Sequence, residues 1–171
     1  MPDTWNVQKV NEDLLRKFQK IQADLFSCDN VTELCEKLLQ EMGQEFNIPF
    51  VWMTLIDEPA TAYLKKELTS SAYLSERLNL VSRDAFSEIV GKGTLPVLVN
   101  ENVAPFYRLL PGNTKYFIKS FAICPLAFNT AVMGSLNCGD PSAMRYQPGM
   151  DTTLLNNLIQ KVSTRIAYFI V

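Results

Sequence analysis

The apolar positions at the start of the chain recur at helical steps. Val7, Val10, Leu14, Phe18, Ile21 and Leu25 stand three or four apart, the spacing that lines one face of an α-helix. Gln8, Lys9, Glu12, Asp13, Lys17 and Lys20 fall between them and supply a solvated face. Asp29-Asn30 breaks the stripe. Asn30, with Glu33 three residues on, reads as an N-cap and its partner in the first turn. The pattern then predicts a second helix from about Val31 to Phe46, turned inward through Leu34, Leu38, Leu39 and Met42. Ile48-Pro49 ends it, because a residue before proline disfavours the α region. Phe50 to Asp57 is dense in β-branched and aromatic residues and predicts a buried strand.

Ala60 to Leu80 carries the weakest pattern and predicts irregular or short helical structure, with a brief strand near Leu78-Asn79-Leu80. Ser82, Arg83 and Asp84 open a short helix through Phe86, Ile89 and Val90, which Gly91 and Gly93 stop. A short strand follows at Leu95–Asn100 and a short helix at Asn102–Leu110. Ser120–Phe128 and Ala131–Gly139 read as two long apolar strands joined at Asn129-Thr130, a hairpin signal without the usual glycine. Pro125 inside the first of these implies an edge position or a bulge. Asp151 caps a last helix through Leu155, Ile159, Val162, Ile166 and Phe169, spaced for packing on other helices or on its own sheet. No repeat or linker divides the chain. Residues 1–29 read as an N-terminal helix for packing or dimerisation, and 30–171 as one domain that ends in a helix at about 151–170.

A chain of 171 residues can bury a core without disulfide or metal support. Its usage is 47% hydrophobic and 20% charged, which is globular, and its net charge of −2 offers no basic surface for nucleic acid or an anionic membrane. The N-terminus lacks a signal-peptide layout and no apolar run reaches the ~18 residues of a membrane span, so a soluble, cytoplasmic protein is expected. There is no histidine. That excludes Ser-His-Asp and Cys-His nucleophiles, His-ligated haem and a phospho-accepting histidine. The four cysteines, Cys28, Cys35, Cys124 and Cys138, form no CxxC pair and read as buried reduced thiols. No catalytic or metal-ligating set emerges.

The element order, and more specifically the second half, resembles a known family. Ser120-Phe121-Ala122-Ile123-Cys124-Pro125-Leu126 is similar to a GAF penultimate strand, and Gly134-Ser135-Leu136-Asn137-Cys138-Gly139 to the last strand, followed by Asp140-Pro141. Arg145 to Asp151 is similar to the entry of the last helix. Together they resemble a bacterial GAF-like family known as domain of unknown function 484. In that family a Ser commonly precedes the Asp-Pro, where this chain has Gly139, and a His the second proline, where it has Gln147. The resemblance implies an α+β fold: a central antiparallel sheet, terminal helices on one face, short helices and loops on the other. It also implies a dimer, and it implies no particular ligand or cofactor.

A GAF-type ligand would lie between the sheet and the short-helix side. Alternation places Phe50, Trp52, Thr54 and Ile56 on one face of their strand. In the last strand Met133, Ser135 and Asn137 share a face, opposite Val132, Gly134 and Leu136. Thr54, Ser135 and Asn137 are the polar candidates, with Trp52, Phe106, Tyr107 and Phe121 as an apolar wall. The same aromatics suit a filled core, and the same polar groups suit satisfying a nearby loop. Arg145 could clamp an anionic group or bracket loop carbonyls.

Two readings stay open, both non-catalytic. One is a sensory module that binds an unidentified small molecule and signals through a dimer of its terminal helices. The other is an interaction or scaffold domain whose pocket is filled by its own Trp52, Phe106 and Phe121. A thiol enzyme is a third reading, opposed by cysteines placed on helices and strands rather than loops.

Overall fold

The computed structural model describes residues 4–112 and 117–170, with side chains from residue 11. Val7 and Val10, which open the predicted helical stripe, lie outside the described side chains. Helix α1 spans Thr4–Phe26 and turns Ile21 and Leu25 into the core. Helix α2 spans Val31–Phe46. Its cap is the one predicted: Asn30 Oδ1 accepts from the Glu33 N–H at 2.8 Å, and Glu33 reaches back to the Asp29 N–H at 3.1 Å. Asn47 ends it in the left-handed region, at φ 51°, a conformation asparagine tolerates at a helix end.

The strands are β1 (Phe50–Ile56), β2 (Leu78–Val81), β3 (Val97–Val99), β4 (Ser120–Phe128) and β5 (Ala131–Asp140). They form one sheet in the order β2-β1-β5-β4-β3. The sheet is antiparallel apart from the β1–β2 pair, which is parallel. That exception follows from the connection. The chain between them carries a 3₁₀ turn, helix α3 (Ala62–Thr69) and helix α4 (Ala72–Ser75), enough for a crossover rather than a hairpin. Helix α5 spans Arg83–Val90, capped by Ser82, and helix α6 spans Thr153–Ile170 behind Asp151.

Two hydrophobic cores sandwich the sheet. On one face α1, α2 and α6 pack against Met53, Leu55, Leu136 and Cys138. The short helices α3 and α4 pack here too, through Leu64, Leu68 and Leu74, and not on the opposite side. The other face holds Trp52, Phe121 and Ile123 under Phe86 of α5 and Leu109 of a 3₁₀ turn, Ala104–Leu109. This turn stands where the sequence predicts a short helix.

The hairpin turn is Asn129-Thr130, with both residues at positive φ. Pro125 lies in β4 beyond the stretch paired with β3, so it has no partner there to deprive of a hydrogen bond. One residue later the register shifts: Leu126 opposes Gly134 but Ala127 opposes Val132. Met133 is the extra residue of a β-bulge. A bulge inverts the alternation beyond it, and this corrects the predicted face. Val132 joins the Trp52 side and Met133 the α6 side, the reverse of strict alternation.

Candidate functional site

Strand register builds the site. Trp52 stands opposite Asn137, and Thr54 opposite Ser135, across the β1–β5 pair. Residues opposite one another share a face, so four side chains converge under the 3₁₀ turn. Thr54, Ser135 and Asn137 are fully buried. Ser135 Oγ donates to Asn137 Oδ1 at 2.7 Å, and Asn137 Nδ2 donates to Thr54 Oγ1 at 2.8 Å. Thr54 Oγ1 donates in turn to the Leu109 carbonyl at 3.1 Å, which also accepts from Trp52 Nε1 at 2.7 Å. Asn79 of β2 holds the adjoining Arg108 carbonyl at 2.8 Å. Three side chains of the sheet therefore pin one turn by two consecutive carbonyls.

Phe121 is the centre of the apolar wall. Trp52 meets it edge-on at 6.0 Å between centroids, Tyr107 edge-on at 5.7 Å, and Phe106 tilted at 5.9 Å. Such geometries suit the aromatic quadrupole. The Tyr107 hydroxyl donates to the Ile118 carbonyl at 2.5 Å. Seven of the eight candidate residues thus form one network, buried at Trp52, Thr54, Phe121, Ser135 and Asn137 and partly buried at Phe106 and Tyr107. The eighth, Arg145, lies apart. Its guanidinium donates to the Phe46 carbonyl at 2.5 Å and the Asn47 carbonyl at 3.4 Å, and pairs with Asp140 at 3.3 Å. It brackets the last carbonyls of α2, where cationic charge meets the negative end of the helix dipole.

Sequence reasoning missed the acceptor that organises the site, the Leu109 carbonyl, because a backbone group leaves no trace in residue type. Beside Trp52 a surface cleft of about 240 Å³ is lined by Phe50, Trp52, Glu76, Arg77 and Leu110 among others. The four cysteines are buried and free. Burial pushes the thiols of Cys35 and Cys138 up to about 12 and those of Cys28 and Cys124 upward as well. Thiols held protonated are poor nucleophiles.

A second feature lies at the opposite face, between α1 and α6. Lys161 donates to Gln22 at 2.8 Å, and Arg165 to the Cys28 carbonyl at 3.4 Å. Higher residues of one helix meet higher residues of the other, so the helices run parallel. Between them a groove of about 600 Å³ is lined by Leu15, Phe18, Phe26, Leu154, Arg165 and Tyr168 among others. Phe26 is 62% exposed and Tyr168 69%.

The family model described as "Protein of unknown function, DUF484" matches residues 5–171. The chain belongs to this family. Its fold is that of GAF domains. The GAF domain from an Acinetobacter phosphoenolpyruvate-protein phosphotransferase is similar at a TM-score of 0.63 and 15% identity, over 91% of this chain and 93% of that one. The GAF domain of the corresponding Coxiella burnetii enzyme is similar at 0.65 and 12%, over 92% and 94%. At these identities the likeness is one of fold. No curated protein matches the chain. Where the family resemblance offered a serine, Gly139 leaves room for Ile118, whose Cδ1 would stand 2.8 Å from a Cβ. Among the described residues, no helix is long and apolar enough to cross a membrane.

Proposed function

We propose that this DUF484 domain is a non-catalytic interaction module, with its GAF-type site filled by its own side chains and its docking face formed by α1 and α6. The occupant of that face is a second copy of the chain. The observation that carries this reading is the Leu109 carbonyl, which takes both the Trp52 and the Thr54 donors while Asn137 and Ser135 spend their groups on Thr54 and on each other. A ligand would have to replace each of those bonds, and buried polar groups left unpaired cost about 1–3 kcal/mol apiece.

The docking face is supported by length and chemistry. Helix α1 starts at Thr4, well before Gln22, whereas α6 starts at Thr153, close before Lys161. In a parallel pair joined at those residues, α1 runs about ten residues, or ~15 Å, past the start of α6. The overhang bears Glu12 and Asp13, and the groove bears Lys161 and Arg165. Two copies related by a two-fold axis could exchange these acidic and basic surfaces, and two-fold dimers are the commonest oligomers.

Native mass spectrometry at low and then high activation energy tests the reading. The expected result is a dimer of the bare chain. A discrete extra mass released on activation would favour a small-molecule sensor, a reading to which the cleft beside Trp52 and Arg77 lends support. A monomer would sink the docking of a second copy.

A further inference from the structure

Where α1 crosses α2, two carboxyl groups meet with no donor between them. Glu41 of α2 has its Oε2 buried and without a hydrogen-bond partner. The group against it is the carboxyl of Asp24 on α1. Two carboxylates can only accept, so this contact closes when one of them carries a proton. The surrounding charges do not replace that proton. Lys20, one turn before Asp24, is tied to Glu45 of α2 at 2.5 Å and acts on both carboxyls through space, without a hydrogen bond to either. Lys37 stands one turn before Glu41 and acts on both carboxyls from a distance. Cys28 at the end of this corner is a buried thiol, with Glu33 as a further charge near it. From α6, Lys161 is engaged with Gln22 and Arg165 with the Cys28 carbonyl.

We infer that Asp24 and Glu41 form a proton-operated latch, which holds α1 on α2 while the pair shares one proton and loosens it when both carboxyls ionise. Burial and the carboxyl-to-carboxyl contact with Asp24 raise Glu41 to about 7, and the same contact lowers Asp24. The sign follows from linkage. A carboxyl whose affinity for the proton is raised in the closed state supports that state at low pH. Its support is lost as pH rises from the ordinary carboxylate range to about 7. The pair titrates as a unit, with the closed helix holding the proton that the open helix releases. Its consequence for assembly rests on the reading of α1 and α6 as the docking face, whereas the latch itself stands on the helix pair alone.

Hydrogen exchange of the whole chain, with rates normalised for intrinsic exchange, separates the two. In the wild type the protection of the α1 amides near Asp24 is expected to fall at least fivefold between pH 5 and pH 8. In Glu41→Gln, whose amide donates to Asp24 at every pH, it should stay level across that range. Asp24→Asn should behave likewise, because its amide donates to an ionised Glu41. Level protection in the wild type, or an equal fall in Glu41→Gln, would overturn the latch. A monomer at every pH that still shows the wild-type fall would retain the latch and remove only the docking of a second copy.

Discussion

A Cβ built on Gly134 would stand 2.1 Å from the carbonyl oxygen of Thr54 and 3.0 Å from the Cα of Leu55. The glycine sits where β5 emerges from its bulge and passes against β1. Here the close approach of two backbones, and not a turn, requires glycine. Gly134→Ala should therefore cost about 3 kcal/mol or more, because the obstacle is main chain and cannot swing aside. For a chain of this size that lowers Tm by roughly 6–12 °C. Gly93→Ala is the control: nothing lies within 4 Å of its added Cβ. Thermal unfolding of the two variants side by side tests the claim, and equal midpoints would refute it.

The buried polar chain predicts a coupling. Asn137→Ala strands the Ser135 hydroxyl and removes a donor from Thr54, at a cost of about 2–4 kcal/mol. Ser135→Ala alone leaves Asn137 Oδ1 without its donor. The double variant removes both ends of that bond, so it should cost at least about 1 kcal/mol less than the two single costs added together. Urea unfolding of the four proteins measures this. Additive losses would mean that the two groups do not act as a pair.

These features differ in how far the sequence announced them. The helices α1, α2 and α6 and the strands β1, β4 and β5 were legible because each repeats a period set by local geometry. The faces of Thr54, Ser135 and Asn137 followed from alternation alone. Val132 and Met133 did not, because alternation counts one residue per step and a bulge inserts one without any mark in residue type. The Leu109 carbonyl was invisible for the same reason. The crossover helices α3 and α4 were hard to place because each is too short to show a full stripe. The pairing of Asp24 with Glu41 left no mark at all, since nothing local shows that α1 and α2 bring them together.

The β4–β5 turn offers a gain. Asn129 and Thr130 hold φ values of 49° and 66°, the sign that a type I′ turn needs at both positions. Asparagine tolerates this, but a β-branched threonine does so under strain. Thr130→Gly releases the strain and pays back part of it in chain entropy, leaving a net gain of about 0.5–1 kcal/mol. A rise of roughly 1–4 °C in Tm is expected. A fall would show that threonine is at ease there.

Arg145 is predicted to be structural. Its three contacts tie the loop after β5 to the end of α2. Arg145→Met keeps the stem and removes the fork, stranding the Phe46 carbonyl and Asp140, for a loss of about 1.5–3 kcal/mol. Arg145→Lys should recover little, because an ammonium cannot span both carbonyls and the carboxylate in one plane. Chemical denaturation of both variants decides it, and full recovery by lysine would reduce the role to charge.

The docking face yields the last prediction. Phe26 is exposed and its ring lies 5.9 Å from the Arg165 guanidinium. Phe26→Glu would place a carboxylate beside that cation, so the folded monomer should keep its stability within about 0.5 kcal/mol. The same change puts a charge at the centre of the surface on which a second copy would rest. Leu15→Glu adds another about three turns earlier on the same groove-lining face of α1. Taking a charge out of water at an interface costs several kcal/mol, which pairing with Arg165 offsets only in part, so the double variant should run as a monomer in sedimentation at concentrations where the wild type is dimeric. A folded double variant that still dimerises would move the interface away from the groove between α1 and α6.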